Sequence, residues 1–224
     1  MYKLFHGSEK IIETPVYGFG KTYNDYGLGF YCTESREMAM EWAVDLNRNG
    51  FVNEFSLDST GLNILHLEST EYTILHWLAI LVENRKFEMP SALASEATEY
   101  LSSFFRPDYD NVDLIIGYRA DDSYFSFARD FLNGTISYRQ LGNAMHLGKL
   151  GLQVVVKSEA AFQRLVFQGY EIAENRLWYG KKSRRDKKAR EEYYDIEKNR
   201  RIKGDIFITK ILDEEMKPND PRLR

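Results

Sequence analysis

The sequence predicts an α+β fold, and three observations carry that prediction. Stretches at Tyr2–Phe5, Leu28–Cys32, Phe51–Leu57, Leu62–Leu67, Val112–Gly117 and Gly151–Lys157 are apolar or alternating, of strand length, and bounded by glycines or polar turns. Between them lie segments whose apolar residues recur three or four apart, as in helices with one buried face. A basic run from Lys181 to Arg190 then marks a change of composition and reads as a solvated helix near the C-terminus.

Taken in order, Tyr2–Phe5 places Leu4 and His6 on one side, and Gly7-Ser8 reads as the turn that ends the strand. Glu9 to Asn24 carries Pro15, Gly18 and Gly20 with no lasting period, so it reads as a long crossing loop, a kind of segment that often carries function. The stretch Asp25-Tyr26-Gly27-Leu28-Gly29-Phe30-Tyr31-Cys32-Thr33 follows. Its alternation puts Phe30 on one face and Tyr31 on the other, and its glycines let the backbone approach a flat ligand. Thr33 is placed to cap a helix from about Glu34 to Leu46, with Met38, Trp42 and Leu46 on one stripe.

After the strands Phe51–Leu57 and Leu62–Leu67, a helix over Glu71 to Arg85 is marked by Ile74, Leu75, Leu78, Leu81 and Val82, with Ser69 or Thr70 as its cap. Ser91 caps another through Phe105, ended by Pro107, which makes a helical insertion at about residues 70–106. Val112–Gly117 reads as a buried central strand that delivers Tyr118-Arg119-Ala120-Asp121-Asp122 at its end. A helix over Ser123 to Leu132 closes at Asn133-Gly134, and Ser137 with Gln140 makes a capping box for a helix through Leu147. In Gly151–Lys157, Gln153 and Val155 share one face, and Leu152, Val154 and Val156 the other. Ser158 caps a helix through Leu165, and Val166–Ile172 adds an edge strand. Residues 1–174 therefore read as one domain, and residues 175–224 as a basic helical extension packed on it.

Composition narrows the function classes. With 30 basic against 34 acidic residues the net charge is −4, so no global attraction to nucleic acid or an anionic membrane is expected. Aromatic residues reach 14%, with 15 Tyr and 14 Phe, enough to serve both packing and ligand stacking. The longest apolar stretch, Ile74 to Val82, is too short to span a bilayer. Cys32 is the single cysteine, which excludes an internal disulfide, and with no basic and apolar leader after Met1 the expected setting is the cytoplasm. His6, His66, His76 and His146 are scattered without metal-ligand spacing, so no metal site is expected. Neither a Walker loop nor GxGxxG is present. Cys32 sits inside a strand and reads as an inert buried thiol.

What remains is His6-Gly7-Ser8 on a first strand, Tyr31 after Gly27 and Gly29 on a second, and Gln153 opening a late strand. With Asp25 to Thr33, Ile116 to Asp122 and Gln153-Val154, this pattern resembles the ADP-ribosyltransferase superfamily of the His-Tyr-Glu type. More narrowly, it is similar to a bacterial toxin-like branch with DxGxGFY-T, IG-x-x-ADD and late Gln-Val stretches, over roughly residues 2 to 170.

The resemblance implies a split β-sandwich that clamps NAD, as substrate, in a central cleft. His6 would hydrogen-bond the adenine-side ribose, Gly7 would present backbone groups to the carboxamide, and Tyr31 would stack on the nicotinamide ring. Ser8 and Gly29 belong to the same nucleotide-binding set, and Arg119 would meet the pyrophosphate with its planar fork. It also implies a cytoplasmic toxin of a toxin-antitoxin or phage-defence system, with an antitoxin partner and a protein or nucleic-acid target.

The sequence departs from the family at Gln153, where most members carry a glutamate. An amide accepts from a ribose hydroxyl but lacks the charge that stabilises an oxocarbenium-like ribose. Asp121 and Asp122 are the candidates to supply that charge or orient an acceptor, or equally to cap the following helix, and Glu159 is a weaker substitute. Two alternatives therefore stay open: a binding module that kept the NAD fold without its catalysis and recognises nucleic acid or protein through the cleft or the basic Lys181 to Arg190 segment, and an NAD glycohydrolase using water as acceptor.

Overall fold

In the computed structural model, which describes residues 1–85, 91–120 and 122–224, the strands form two sheets. The first is antiparallel, with β3 (Gly50–Leu57) between β1 (Tyr2–Ser8) and β7 (Leu165–Ala173). The second runs β2 (Phe30–Cys32), β6 (Leu152–Val156), β5 (Leu114–Tyr118), β4 (Ile64–His66), antiparallel except for the β4–β5 pair. Leu4, Phe55 and Leu57 from the first sheet meet Phe30, Cys32, Leu114, Ile116, Val154 and Val156 from the second in one buried layer. The protein is thus an α+β two-sheet sandwich.

Alternation decides what lies behind the second sheet. Ile115 and Val155 point away from the layer between the sheets and into a larger core built with α2 (Ile74–Asn84), α3 (Ala92–Phe104), α4 (Asp122–Leu132) and α5 (Tyr138–Ala144). A third cluster joins α1 (Arg36–Ala43) and Trp178 of a long C-terminal helix to Phe5, Val52 and Ala173 of the first sheet. Between β6 and β7 stands the short α6 (Glu159–Phe162). The C-terminal helix is α7 (Asn175–Glu192), and α8 (Ile208–Asp213) returns to the large core through Ile208 and Ile211.

Several boundaries move for identifiable reasons. Gly7 and Ser8 stay in β1 instead of turning, because pairing with β3 runs on through Val52 and Phe51. The first helix starts later than Glu34, with Ser35 as its cap: the Ser35 hydroxyl accepts from the Met38 N–H at 3.2 Å, while the Thr33 backbone is engaged by Phe5. Thr73, not Ser69 or Thr70, caps α2, and the His76 ring completes the capping box by accepting from the Thr73 N–H at 2.9 Å. The helix expected through Leu165 stops at Phe162, since Leu165 already pairs with Leu57. The basic run is helical within α7, as its composition predicts.

One joint holds the two sheets together at the site. The Phe5 N–H donates to the Thr33 carbonyl at 2.8 Å and the Thr33 N–H donates to the Phe5 carbonyl at 3.0 Å. Beyond this bridge β1 and β2 belong to different sheets and their backbones pair no further, and a wedge lined by His6 and Gly7 of one strand and by Phe30 and Tyr31 of the other lies there.

Candidate functional site

A cleft of about 580 Å³ occupies that wedge. This volume lies within the range of small-molecule sites. His6 and Gly7 come from β1, Gly29, Phe30 and Tyr31 from β2 and its approach, Arg119 and Ala120 from the end of β5, and Gln153 from β6. The crossing loop adds Ile12, Pro15, Val16, Phe19 and Gly20. Lys182, Asp186 and Arg190, spaced four apart on α7, line it too.

His6 is fixed at one ring nitrogen. Its Nδ1 lies 2.7 Å from the Tyr31 carbonyl, which only accepts, so Nδ1 carries the hydrogen and Nε2 is the acceptor of the neutral ring. The ring stacks on Phe30 at 4.3 Å between centroids. Burial lowers the His6 pKa, and the hydrogen bond to Tyr31 opposes this with a smaller effect. Gly7 is required by close packing: a Cβ there would sit 2.1 Å from the Ala39 carbonyl oxygen and 2.9 Å from the Ala43 nitrogen of α1.

Tyr31 is pinned at its far end. Its hydroxyl donates to the Gly27 carbonyl at 2.6 Å and accepts from the Tyr26 N–H at 3.0 Å, so the ring plane is set by the preceding loop. Burial raises the phenol pKa, which keeps it protonated and suits it to stacking, not proton transfer. Gly27 makes that loop possible with φ +69°, a left-handed conformation.

Gln153 is buried, and its Nε2 donates to Asp25 Oδ2 at 2.9 Å. The same carboxylate accepts from the Ala120 N–H at 2.9 Å and from Arg85 Nε at 3.0 Å, while Arg85 Nη2 donates to the Ala120 carbonyl at 2.6 Å. Asp25 is only 6% exposed. Burial pushes its carboxyl above the usual carboxylate range, against the opposing effects of Arg85, the Ala120 N–H, Gln153 and Arg119. Arg119 lies over Trp42, its guanidinium carbon 3.9 Å from the ring centroid.

The site residues expected from the sequence therefore divide. His6, Gly7, Gly29, Tyr31, Arg119 and Gln153 are brought together. Ser8 is not among the lining residues: its hydroxyl donates to the Lys10 carbonyl at 2.5 Å and accepts from Asn53 Nδ2 at 3.0 Å, which makes it a fastener for the crossing loop. Asp121 and the side chain of Asp122 lie outside the described residues. Glu159 is exposed in the first turn of α6, and His146 is exposed with its ring edge against Tyr118, so neither lines the cleft.

Asp25, Arg85 and the α7 residues were missed. Asp25 heads the glycine stretch, and an acidic residue there was a usable signal. Its ion-pair partner stands 60 positions away, beyond any local pattern.

Among the described residues no cluster of three or more His, Cys, Asp or Glu could hold a metal, and no helix is long and apolar enough to cross a membrane. No curated protein and no solved structure matches the chain. The profile of a family described as "Protein of unknown function (DUF3990)" matches residues 2–167. Since that match spans most of the chain's 224 residues, the chain belongs to the DUF3990 family.

Proposed function

We propose that this chain is an NAD-dependent ADP-ribosyltransferase acting on a macromolecular nucleophile, built as a split sandwich of the ADP-ribosyltransferase type. The observation that carries the reading is convergence: His6, Tyr31 and Gln153, chosen from three separated strands, line one cleft where the two sheets part. In this reading the neutral His6 ring accepts from a ribose hydroxyl through Nε2, Tyr31 stacks on the nicotinamide, and Arg119 meets the pyrophosphate.

The chemistry asked of the cleft is one displacement. The bond between the anomeric ribose carbon and the nicotinamide nitrogen breaks, and its electron pair leaves with neutral nicotinamide. The cation left on the ribose is captured by the acceptor's lone pair, and the acceptor's proton passes to solvent. The cleft's task is to hold the sugar and to favour positive charge at that carbon. A toxin role paired with an antitoxin is the setting that the resemblance implies for such an activity.

The test is incubation of the purified protein with NAD labelled in its adenylate half, together with cell extract. We expect a labelled macromolecule and stoichiometric nicotinamide, both lost in His6→Ala and Tyr31→Ala. Nicotinamide without label would identify a glycohydrolase, and calorimetric NAD binding without nicotinamide a binding module. Neither binding nor release would remove NAD from the account.

A further inference from the structure

We infer that Asp25 is the carboxylate that backs the ribose site of this cleft, a positioning residue that acts through Gln153 by setting its amide with the carbonyl oxygen toward the ligand. This deepens the reading of the cleft as an NAD site and rests on it. Ionised, Asp25 offers only acceptors, so the Gln153 atom 2.9 Å from Oδ2 is the NH₂ group, and Oε1 is the atom left for a ligand hydroxyl. No hydrogen bond to Gln153 Oε1 is made among the described residues.

The carboxylate is itself immobilised. Arg85 Nε holds Oδ1 at 3.0 Å and the Ala120 N–H holds Oδ2 at 2.9 Å, so loop, α2 terminus, β5 end and β6 meet at this one side chain. Each partner is a donor, which favours the ionised form against the burial that raises the pKa of this carboxyl. An amide that donates to a carboxylate is polarised, with electron density drawn onto its oxygen, and hydrogen bonds in a low-dielectric network reinforce one another. Gln153 and Asp25 together thus divide the task of one glutamate: an acceptor for a ribose hydroxyl with a carboxylate, itself paired with Arg85, directly behind it. All four members of the network, Asp25, Arg85, Ala120 and Gln153, line the cleft.

The two residues also explain each other. A glutamate at Gln153 would stand 2.9 Å from Asp25 Oδ2, and two carboxylates that close cannot both stay ionised. An aspartate at the head of the loop therefore favours glutamine on the strand. The neutral residue at the strand position is then a relocation of the charge, not a loss of it.

The experiment compares Asp25→Asn, Gln153→Met, Gln153→Glu and the exchange Asp25→Asn with Gln153→Glu, each shown folded by circular dichroism. Nicotinamide release gives kcat and KM, and calorimetry gives NAD affinity. We expect Asp25→Asn and Gln153→Met to lower kcat about 100-fold, the usual cost of removing one preorganised electrostatic group, with KM changed far less. Gln153→Glu alone is expected to be impaired. The exchange keeps one carboxylate hydrogen-bonded to one amide and is expected to recover at least about tenfold over Asp25→Asn. Wild-type turnover in Asp25→Asn or in Gln153→Met overturns the inference and leaves the transferase reading standing, as does an exchange variant no faster than Asp25→Asn. A wild-type protein that releases no nicotinamide overturns both.

Discussion

His6 is held by one hydrogen bond and one stacked ring, and its pH behaviour follows from that setting. Its folded pKa lies below the ordinary value near 6.5, so on acidification the unfolded chain takes up the proton first. The stability tied to the neutral ring is complete above about pH 6.5 and is lost as pH falls toward the folded pKa. His76, also lowered by burial, adds a second contribution of the same sign. Between about pH 7.5 and about pH 5.5 the melting temperature should fall, and fall less in His6→Gln, as calorimetric scans would show. Gly7→Ala tests the contact behind it: with a Cβ 2.1 Å from the Ala39 carbonyl oxygen, urea unfolding should show a loss of about 1–3 kcal/mol. His6, Tyr31 and Gln153 were legible because each sits on a strand, where period-two alternation assigns a face. The network around Asp25 was not, because its partners Arg85, Ala120 and Gln153 come from other elements and only folding brings them near.

Among the elements, α7 is the one whose role changed most between sequence and structure. Its charges read as a solvated face, and Lys187–Glu191 and Lys188–Glu192 do form exposed pairs one turn apart. Yet Arg185 turns inward, its Nε 2.8 Å from Glu41 Oε2, both side chains at least 87% buried. Breaking such a buried pair costs about 3–5 kcal/mol, so Arg185→Ala should destabilise by that order in chemical denaturation, while Lys188→Ala should change little. A charge run says nothing of which turn faces the body when the surface receiving it, here Glu41 of α1, is distant in sequence. Helix caps were easier to read, since Ser91, Ser137 and Ser158 each accept from an N–H within their own first turn. The cap of α2 escaped because His76 takes the place that Glu or Gln fills in the familiar box.

At the scale of the whole molecule, the family match ends at 167 but the fold does not. Tyr193, Ile208, Ile211, Met216 and Leu223 are buried in the large core behind the second sheet, and Trp178 in the cluster beside α1. A chain cut after Glu174 should lose near-ultraviolet dichroism and cooperative melting, instead of behaving as a trimmed domain. The strands themselves could be drawn from alternation, whereas their division into two sheets could not, nor the joint at Phe5 and Thr33, which is two backbone hydrogen bonds with no side-chain signature. Cys32, the chain's one thiol, stands one residue from that joint, fully buried in the layer between the sheets, and burial raises its pKa. The molecule thus carries a native chemical clock. An alkylating reagent can reach that sulfur only when the layer separates, so the modification rate of the unaltered protein counts those openings. Any small molecule that grips both sheets must slow the clock in proportion to its occupancy, which gives a direct way to rank ligands before a reaction has been found.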